Sequence, residues 1–150
     1  MKITLKRVDD AFNMRAEDEL GHEVFMDSSV SIGGHNKGVR PMHMLIMGLG
    51  GCAAIDVIMI LQKQRQQIAD FAIALEAERE EGKEPNLWKK VQVTFRLNGK
   101  VDQQKAEKAV ALSMEKYCSV AETLRKAGTQ ISWTTEVISD AASSAADKNS

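Results

Sequence analysis

The longest apolar stretch of the sequence runs from Met44 to Leu61 and contains a single charged residue, Asp56. Pro41 stands where a helix tolerates proline, in the first turn, and the sequence becomes polar at Gln62. A run of this length is typical of a membrane span or of a helix inside a protein core. The charge and the three glycines within the run favour the second interpretation, so we predict a central, buried helix over residues 41–61.

The composition indicates one soluble domain. The 150 residues fit a single domain with its own core, and 20 basic side chains nearly balance 21 acidic ones. Without a cluster of Lys and Arg, nucleic acid is not an expected partner. Two cysteines do not make a disulfide scaffold, and the N-terminal residues lack the apolar core of an export signal. We therefore expect a cytoplasmic protein with no membrane partner.

Hydrophobic periodicity predicts an α+β protein. Alternating residues indicate three N-terminal strands in an antiparallel meander, followed by a glycine-containing ordered loop over residues 28–40 and then the long helix. Beyond it we predict a hairpin with strands at 70–81 and 87–97, and an amphipathic helix at 102–117. A short helix capped by Ser119 follows at 119–128, and a last strand at 131–137. The order β-β-β-α-β-β-α-α-β favours antiparallel sheets. Residues 1–138 form the predicted domain, and 139–150 are predicted to be disordered.

Cys52 follows the run Gly48-Leu-Gly-Gly51 inside the predicted helix. Each helical glycine costs about 1 kcal/mol relative to alanine, so something must offset that cost. Close packing of the helix is one explanation, with Cys52 as a small apolar residue, and space for a substrate above the sulfur is the other.

Cys118 lies one residue before Ser119, the predicted cap of the short helix. The positive end of a helix dipole lowers a thiol pKa, which would suit chemistry at this position, although a small core residue is an equally good interpretation. The three histidines lack metal-ligand spacing, so no metal or cofactor is expected. Asp56 would share a helical face with Cys52 and is more often a hydrogen-bonded polar group than a reactive one.

The combined pattern resembles the OsmC/Ohr family of thiol-dependent peroxide-handling proteins. The resemblance rests on Gly33-Gly34, Asn36, Gly38, the segment from Pro41 to Gly-Gly-Cys52, and the distant Tyr117-Cys118-Ser-Val. It implies an intertwined homodimer with antiparallel sheets around two central helices, strands from both chains in each sheet, and sites at the interface. It also implies that Cys52 reduces an organic hydroperoxide through a sulfenic acid, that Cys118 resolves it as a disulfide, and that a dithiol reductant reopens the bond.

The sequence departs from the family's pattern at two positions. Active members carry an arginine shortly before the glycine-rich loop and a glutamate one residue after the proline. This chain has Val30-Ser31-Ile32 and Met42 there, and Arg15 and Arg40 are candidates to replace the cation. The alternatives to a peroxidase are a non-catalytic dimer that binds an apolar or acyl ligand in a methionine-lined pocket, and a thiol redox sensor.

Overall fold

The computed structural model describes residues 1–138, so the predicted disordered tail lies outside the described residues. The chain divides into two compact units, Met1–Met47 and the residues from Gly48 onward. The prediction of a single domain over 1–138 stays a prediction.

The first unit contains a three-stranded antiparallel sheet. Strands β1 (Ile3–Arg7), β2 (Met14–Asp18) and β3 (Glu23–Met26) lie in chain order, and the predicted meander is confirmed. A short 3-10 turn, Val30–Ile32, interrupts the loop that follows, and helix α1 (Pro41–Lys63) begins at the predicted proline.

The loop between β3 and α1 is ordered around the buried carboxylate of Asp27. Its oxygens accept hydrogen bonds from the backbone N–H groups of Ser28 at 2.7 Å, His35 at 3.2 Å and Lys37 at 2.9 Å. These bonds favour the charged carboxylate, that of Lys37 most strongly, and they hold the pKa of Asp27 below its ordinary value of 3.8. One side chain thus organises the segment that the sequence predicted to be an ordered loop.

Two glycines of this loop lie where a side chain would collide with backbone. A Cβ at Gly34 would lie 2.3 Å from the carbonyl oxygen of Ser28, and one at Gly38 would lie 2.6 Å from the carbonyl of Phe25. The glycines are therefore explained by close approach of the chain to itself.

The second unit continues α1 and adds a second sheet with two helices. Its elements are β4 (Gln67–Arg79), β5 (Trp88–Lys100), α2 (Gln103–Leu112), α3 (Ser119–Lys126) and β6 (Gln130–Ile138). A π-helical segment, Ser113–Tyr117, separates α2 from α3, where the sequence predicted one continuous helix over 102–117. The predicted element order is confirmed.

The second sheet has the order β4-β5-β6 and is mixed. Strands β4 and β5 form the predicted antiparallel hairpin, but β6 runs parallel to β5, with Phe95 opposite Thr135. The prediction of purely antiparallel sheets is therefore wrong for β6. The physical reason is that α2 and α3 provide the long crossover that a parallel connection needs. Alternate residues of β5 are buried, namely Val91, Val93, Phe95 and Leu97.

Helix α1 is buried along one stripe rather than all round. Leu49, Ala53, Val57 and Leu61 are fully buried at a spacing of four residues, whereas Ile55 is 62% exposed. Of the most apolar 18 residues of the helix, 33% are buried. The prediction of a buried helix is therefore wrong within this chain. By length and composition alone, the helix could cross a membrane. Its assignment to a soluble protein stays a prediction.

We predict that Asp27→Asn destabilises the fold at neutral pH and makes its stability less dependent on pH. A carboxyl whose pKa is lowered by folding contributes stability above its unfolded pKa of 3.8, and this is lost as the pH falls through the folded value. The difference in thermal midpoint between wild type and variant should be largest near pH 7 and shrink below about pH 4. Asp10→Asn, at an exposed position, is the control. A difference that persisted undiminished at about pH 2 would contradict this role.

Candidate thiol site

Cys52 is half-buried in the middle of α1, next to the fully buried Ala53. One of the preceding glycines has a packing explanation, because a Cβ at Gly50 would lie 2.9 Å from Cδ1 of Leu75 on β4. At Gly48 and Gly51 a Cβ would meet no atom within 4 Å. Packing inside this chain therefore accounts for Gly50 and leaves the other two without a described reason.

Cys118 follows the π-helical segment and is itself the N-cap of α3. Its Sγ accepts a hydrogen bond from the N–H of Ala121 at 3.4 Å, and its own N–H donates to the carbonyl of Ser113 at 2.8 Å. The prediction that Ser119 caps this helix is therefore wrong by one residue. A sulfur can take the place of the expected hydroxyl because both accept from the first turn of a helix.

The thiol of Cys52 lies close enough to Cys118 to act on its pKa. Burial, with a smaller contribution from Cys52, raises the pKa of Cys118 to about 11. The N–H groups of Ala121 and Val120 act in the opposite direction, as the sequence predicted for a helix end, but they are outweighed. The expectation of a lowered pKa at Cys118 is therefore wrong, because the side chain is only 3% exposed.

Asp56 is hydrogen-bonded, as the sequence indicated, and its partner is a residue that the prediction missed. The hydroxyl of Ser113 donates to Oδ2 of Asp56 at 3.1 Å and lies 3.5 Å from the carbonyl oxygen of Ala53. Ser113 is fully buried. A signal was present in the sequence, since Ser113 lies on the apolar face of the predicted helix, three residues after Val110.

A cavity of about 550 Å³ opens beside Asp56 in the second unit. Its other lining residues are mostly apolar or long-chained: Met59, Ile60, Lys63, Gln64, Leu112 and Tyr117. Met59 is the methionine that contributes to this lining, which has room for a small apolar group.

The two candidate arginines are engaged by partners within the first unit. Arg40 donates through Nη1 to the carbonyl of Asp27 at 3.1 Å and through Nη2 to Oδ1 of Asn36 at 2.8 Å. Arg15 pairs with Glu23 at 3.0 Å and with Glu17 at 3.6 Å. Both guanidinium groups therefore stabilise local structure, and Met42 is a half-buried residue of the first turn of α1.

Asp9, Asp10 and His35 form a cluster that the sequence analysis did not predict. Their potential ligand atoms lie within 4.8 Å of one another, and Nδ1 of His35 is 2.8 Å from Oδ2 of Asp9. The hydrogen bond from His35 lowers the pKa of Asp9. His35 and Asp10 are exposed, which is common for such groups at a protein surface.

Comparison with known proteins identifies the family. A family model described as OsmC-like protein matches residues 34–134. Protein YhfA of Escherichia coli strain K12 is 41% identical over 112 residues, which are 74% of this chain and 80% of YhfA. The chain belongs to the OsmC-like family, and the resemblance seen in its motifs is confirmed.

Solved structures agree with this assignment. A hypothetical protein from Aquifex aeolicus VF5 is 31% identical, with 91% of this chain and 96% of that one covered and a TM-score of 0.75. An organic hydroperoxide resistance protein OsmC from Legionella pneumophila is 17% identical, with 91% and 98% covered and a TM-score of 0.68. The second likeness shows the fold alone.

We predict that Cys118 reacts with alkylating reagents only at high pH. In a Cys52→Ser variant, where one cysteine remains, the iodoacetamide rate should rise about tenfold per pH unit through pH 9, because burial is the main cause of the raised pKa. In the matched Cys118→Ser variant, the more accessible Cys52 should be labelled faster at neutral pH. A rate for Cys118 that levels off below pH 8.5 would mean that its thiol has an ordinary pKa.

Proposed function

We propose that the protein reduces organic hydroperoxides in the cytoplasm, with Cys52 as the attacking residue and Cys118 as the resolving one. The observation that carries the proposal is the proximity of the two thiols, which are 66 positions apart in sequence and yet close enough for Cys52 to raise the pKa of Cys118. Two cysteines held near each other are suited to forming a disulfide after one of them is oxidised. Membership of the OsmC-like family supports the same chemistry.

The surroundings of the two thiols support this division of roles. The reactive form of cysteine is the thiolate, and a pKa of about 11 keeps Cys118 protonated at neutral pH. Cys118 is also almost fully buried, whereas Cys52 is partly accessible. A peroxide would therefore meet Cys52 first.

In the proposed reaction, the Cys52 thiolate attacks the distal peroxide oxygen, the O–O bond breaks, and the alkoxide leaves and takes up a proton as an alcohol. The sulfur of Cys118 then attacks the Cys52 sulfenic acid. An S–S bond forms, the S–O bond breaks, and the hydroxyl leaves as water with the proton of Cys118. An external dithiol reduces the disulfide and is itself oxidised. The cavity beside Asp56 has the apolar side chains of Met59, Ile60 and Leu112 in its lining, and these favour an organic peroxide over hydrogen peroxide.

A homodimer is part of this proposal. One face of α1 exposes Ile55 and Met59, which are 62% and 47% exposed, in line with the open positions Gly48 and Gly51. Large exposed apolar surfaces mark interaction sites, and small residues allow two helices to approach closely. This face is suited to a second copy of the same chain.

We predict that reduced protein loses two thiols on mixing with cumene hydroperoxide in a stopped-flow experiment. Cys118→Ser should lose one thiol and accumulate a sulfenic acid that dimedone traps, whereas Cys52→Ser should lose none. These differences follow from the roles assigned to the two sulfurs. Mass spectrometry of trapped and untrapped protein measures the products.

Two other outcomes would replace the proposal. Thiols that stay reduced under excess peroxide would favour the ligand-binding dimer, for which Met42 in place of the family's glutamate is the supporting observation. Reversible disulfide formation together with slow turnover would favour the redox sensor.

We also predict that Ile55→Glu produces a monomer. A buried, unpaired carboxylate at the centre of an apolar interface costs several kcal/mol, so the dimer should dissociate at micromolar concentration. Gln104→Glu adds the same charge at an exposed position of α2 and serves as the matched control. Light scattering on a sizing column gives the mass, and an unchanged mass for Ile55→Glu would remove this face from the interface.

A further inference from the structure

Asp56 is the single acidic residue of α1, and it lies one turn after Cys52 on the same side of the helix. A carboxylate inside an otherwise apolar helix is costly to bury unless it is hydrogen-bonded. Here it is half-buried and accepts a hydrogen bond from Ser113 at 3.1 Å. The charge therefore has a specific partner, and that partner belongs to the segment leading to Cys118.

Ser113 makes contacts in two directions. Its hydroxyl reaches α1 at Asp56 and, at 3.5 Å, at the carbonyl of Ala53, the residue after Cys52. Its carbonyl accepts the N–H of Cys118 at 2.8 Å, which is the hydrogen bond of a π-helical turn. One fully buried serine thus connects the helix of the first cysteine to the backbone of the second.

A π-helical turn needs such support. It is rare, occurs mostly as a single turn and is frequent at functional sites. Relaxation of the turn to the hydrogen bonding of an α-helix would rotate the following residues by about 100° about the helix axis. Cys118 would then face away from Cys52. A disulfide forms only when the Cα atoms lie about 4.4 to 6.8 Å apart with suitable directions of the side chains.

We propose that Asp56 and Ser113 are positioning residues that hold Cys118 against Cys52 for disulfide formation. The pair acts through the π-helical turn. This inference rests on the proposed function for its biological meaning, but the geometry of the two cysteines can be tested without any peroxide.

The test measures the effective concentration of the Cys52–Cys118 pair in glutathione redox buffers under nitrogen. Ser113→Ala and Asp56→Leu remove the hydrogen bond, and each should lower the effective concentration at least tenfold. Asp56→Asn keeps an acceptor oxygen for the Ser113 hydroxyl and should stay within about threefold of wild type. Ser119→Ala removes an exposed hydroxyl next to Cys118 and should have no effect. Circular dichroism shows which variants are folded, and Ser113→Ala and Asp56→Leu provide independent removals of the same bond.

Equal effective concentrations in wild type, Ser113→Ala and Asp56→Leu would overturn the proposal, and so would a loss in Asp56→Asn as large as that in Asp56→Leu. In peroxide, Ser113→Ala should form the Cys52 sulfenic acid at the wild-type rate and convert it to the disulfide at least tenfold more slowly. A wild type that ignores peroxide but shows the predicted order of variants in glutathione would overturn the peroxidase function and leave the positioning role supported.

Discussion

Burial of one stripe of α1 determines how far Cys52 is buried and which face of the helix stays exposed. Leu49, Ala53, Val57 and Leu61 repeat every four residues and are removed from water completely. Cys52 stands directly beside this stripe, so the same packing that stabilises the helix holds the sulfur half-buried. The opposite side of the helix, with Ile55 and Met59, is exposed in this chain. An apolar helix with one covered side explains both the thiol site and the face proposed for a second copy.

The two cysteines show how burial and local hydrogen bonds compete. Cys118 caps α3, and the N–H groups of Val120 and Ala121 favour a thiolate there. Removal of the sulfur from water acts against the charged form and is the larger effect. A helix end therefore does not activate a thiol that is only 3% exposed. The same burial suits a resolving cysteine, which stays protonated beside Cys52 until the proposed oxidation has occurred.

The sequence predicted the α-helices and strands of residues 1–138 in the right order, and the repeat is clearest where one face is buried, as in β5. Pro41 also marked the start of α1 correctly. The direction of β6 could not be obtained in this way, since alternation is the same in parallel and antiparallel strands. The π-helical turn at Ser113 was also missed, and the hydroxyl of its first residue contacts Asp56 and Ala53, which lie about sixty positions earlier. The cysteines were predicted from motifs, and only the fold brought them together.

The replacement of the family's arginine and glutamate changes where an activating interaction can come from. Arg40 and Arg15 are occupied by Asp27, Asn36, Glu17 and Glu23. Cys52 has the neutral Cys118 thiol as a neighbour, and a thiol is a weak neutral donor where a guanidinium supplies a full charge. Charge-assisted bonds are about twice as strong as neutral ones, so oxidation of Cys52 should be the slow step of the proposed reaction. Closure of the disulfide needs no diffusion once the two sulfurs are in contact. If oxidation of Cys52 is slow and disulfide closure is fast, the lifetime of the sulfenic acid depends on how firmly Asp56 and Ser113 hold the π-helical turn.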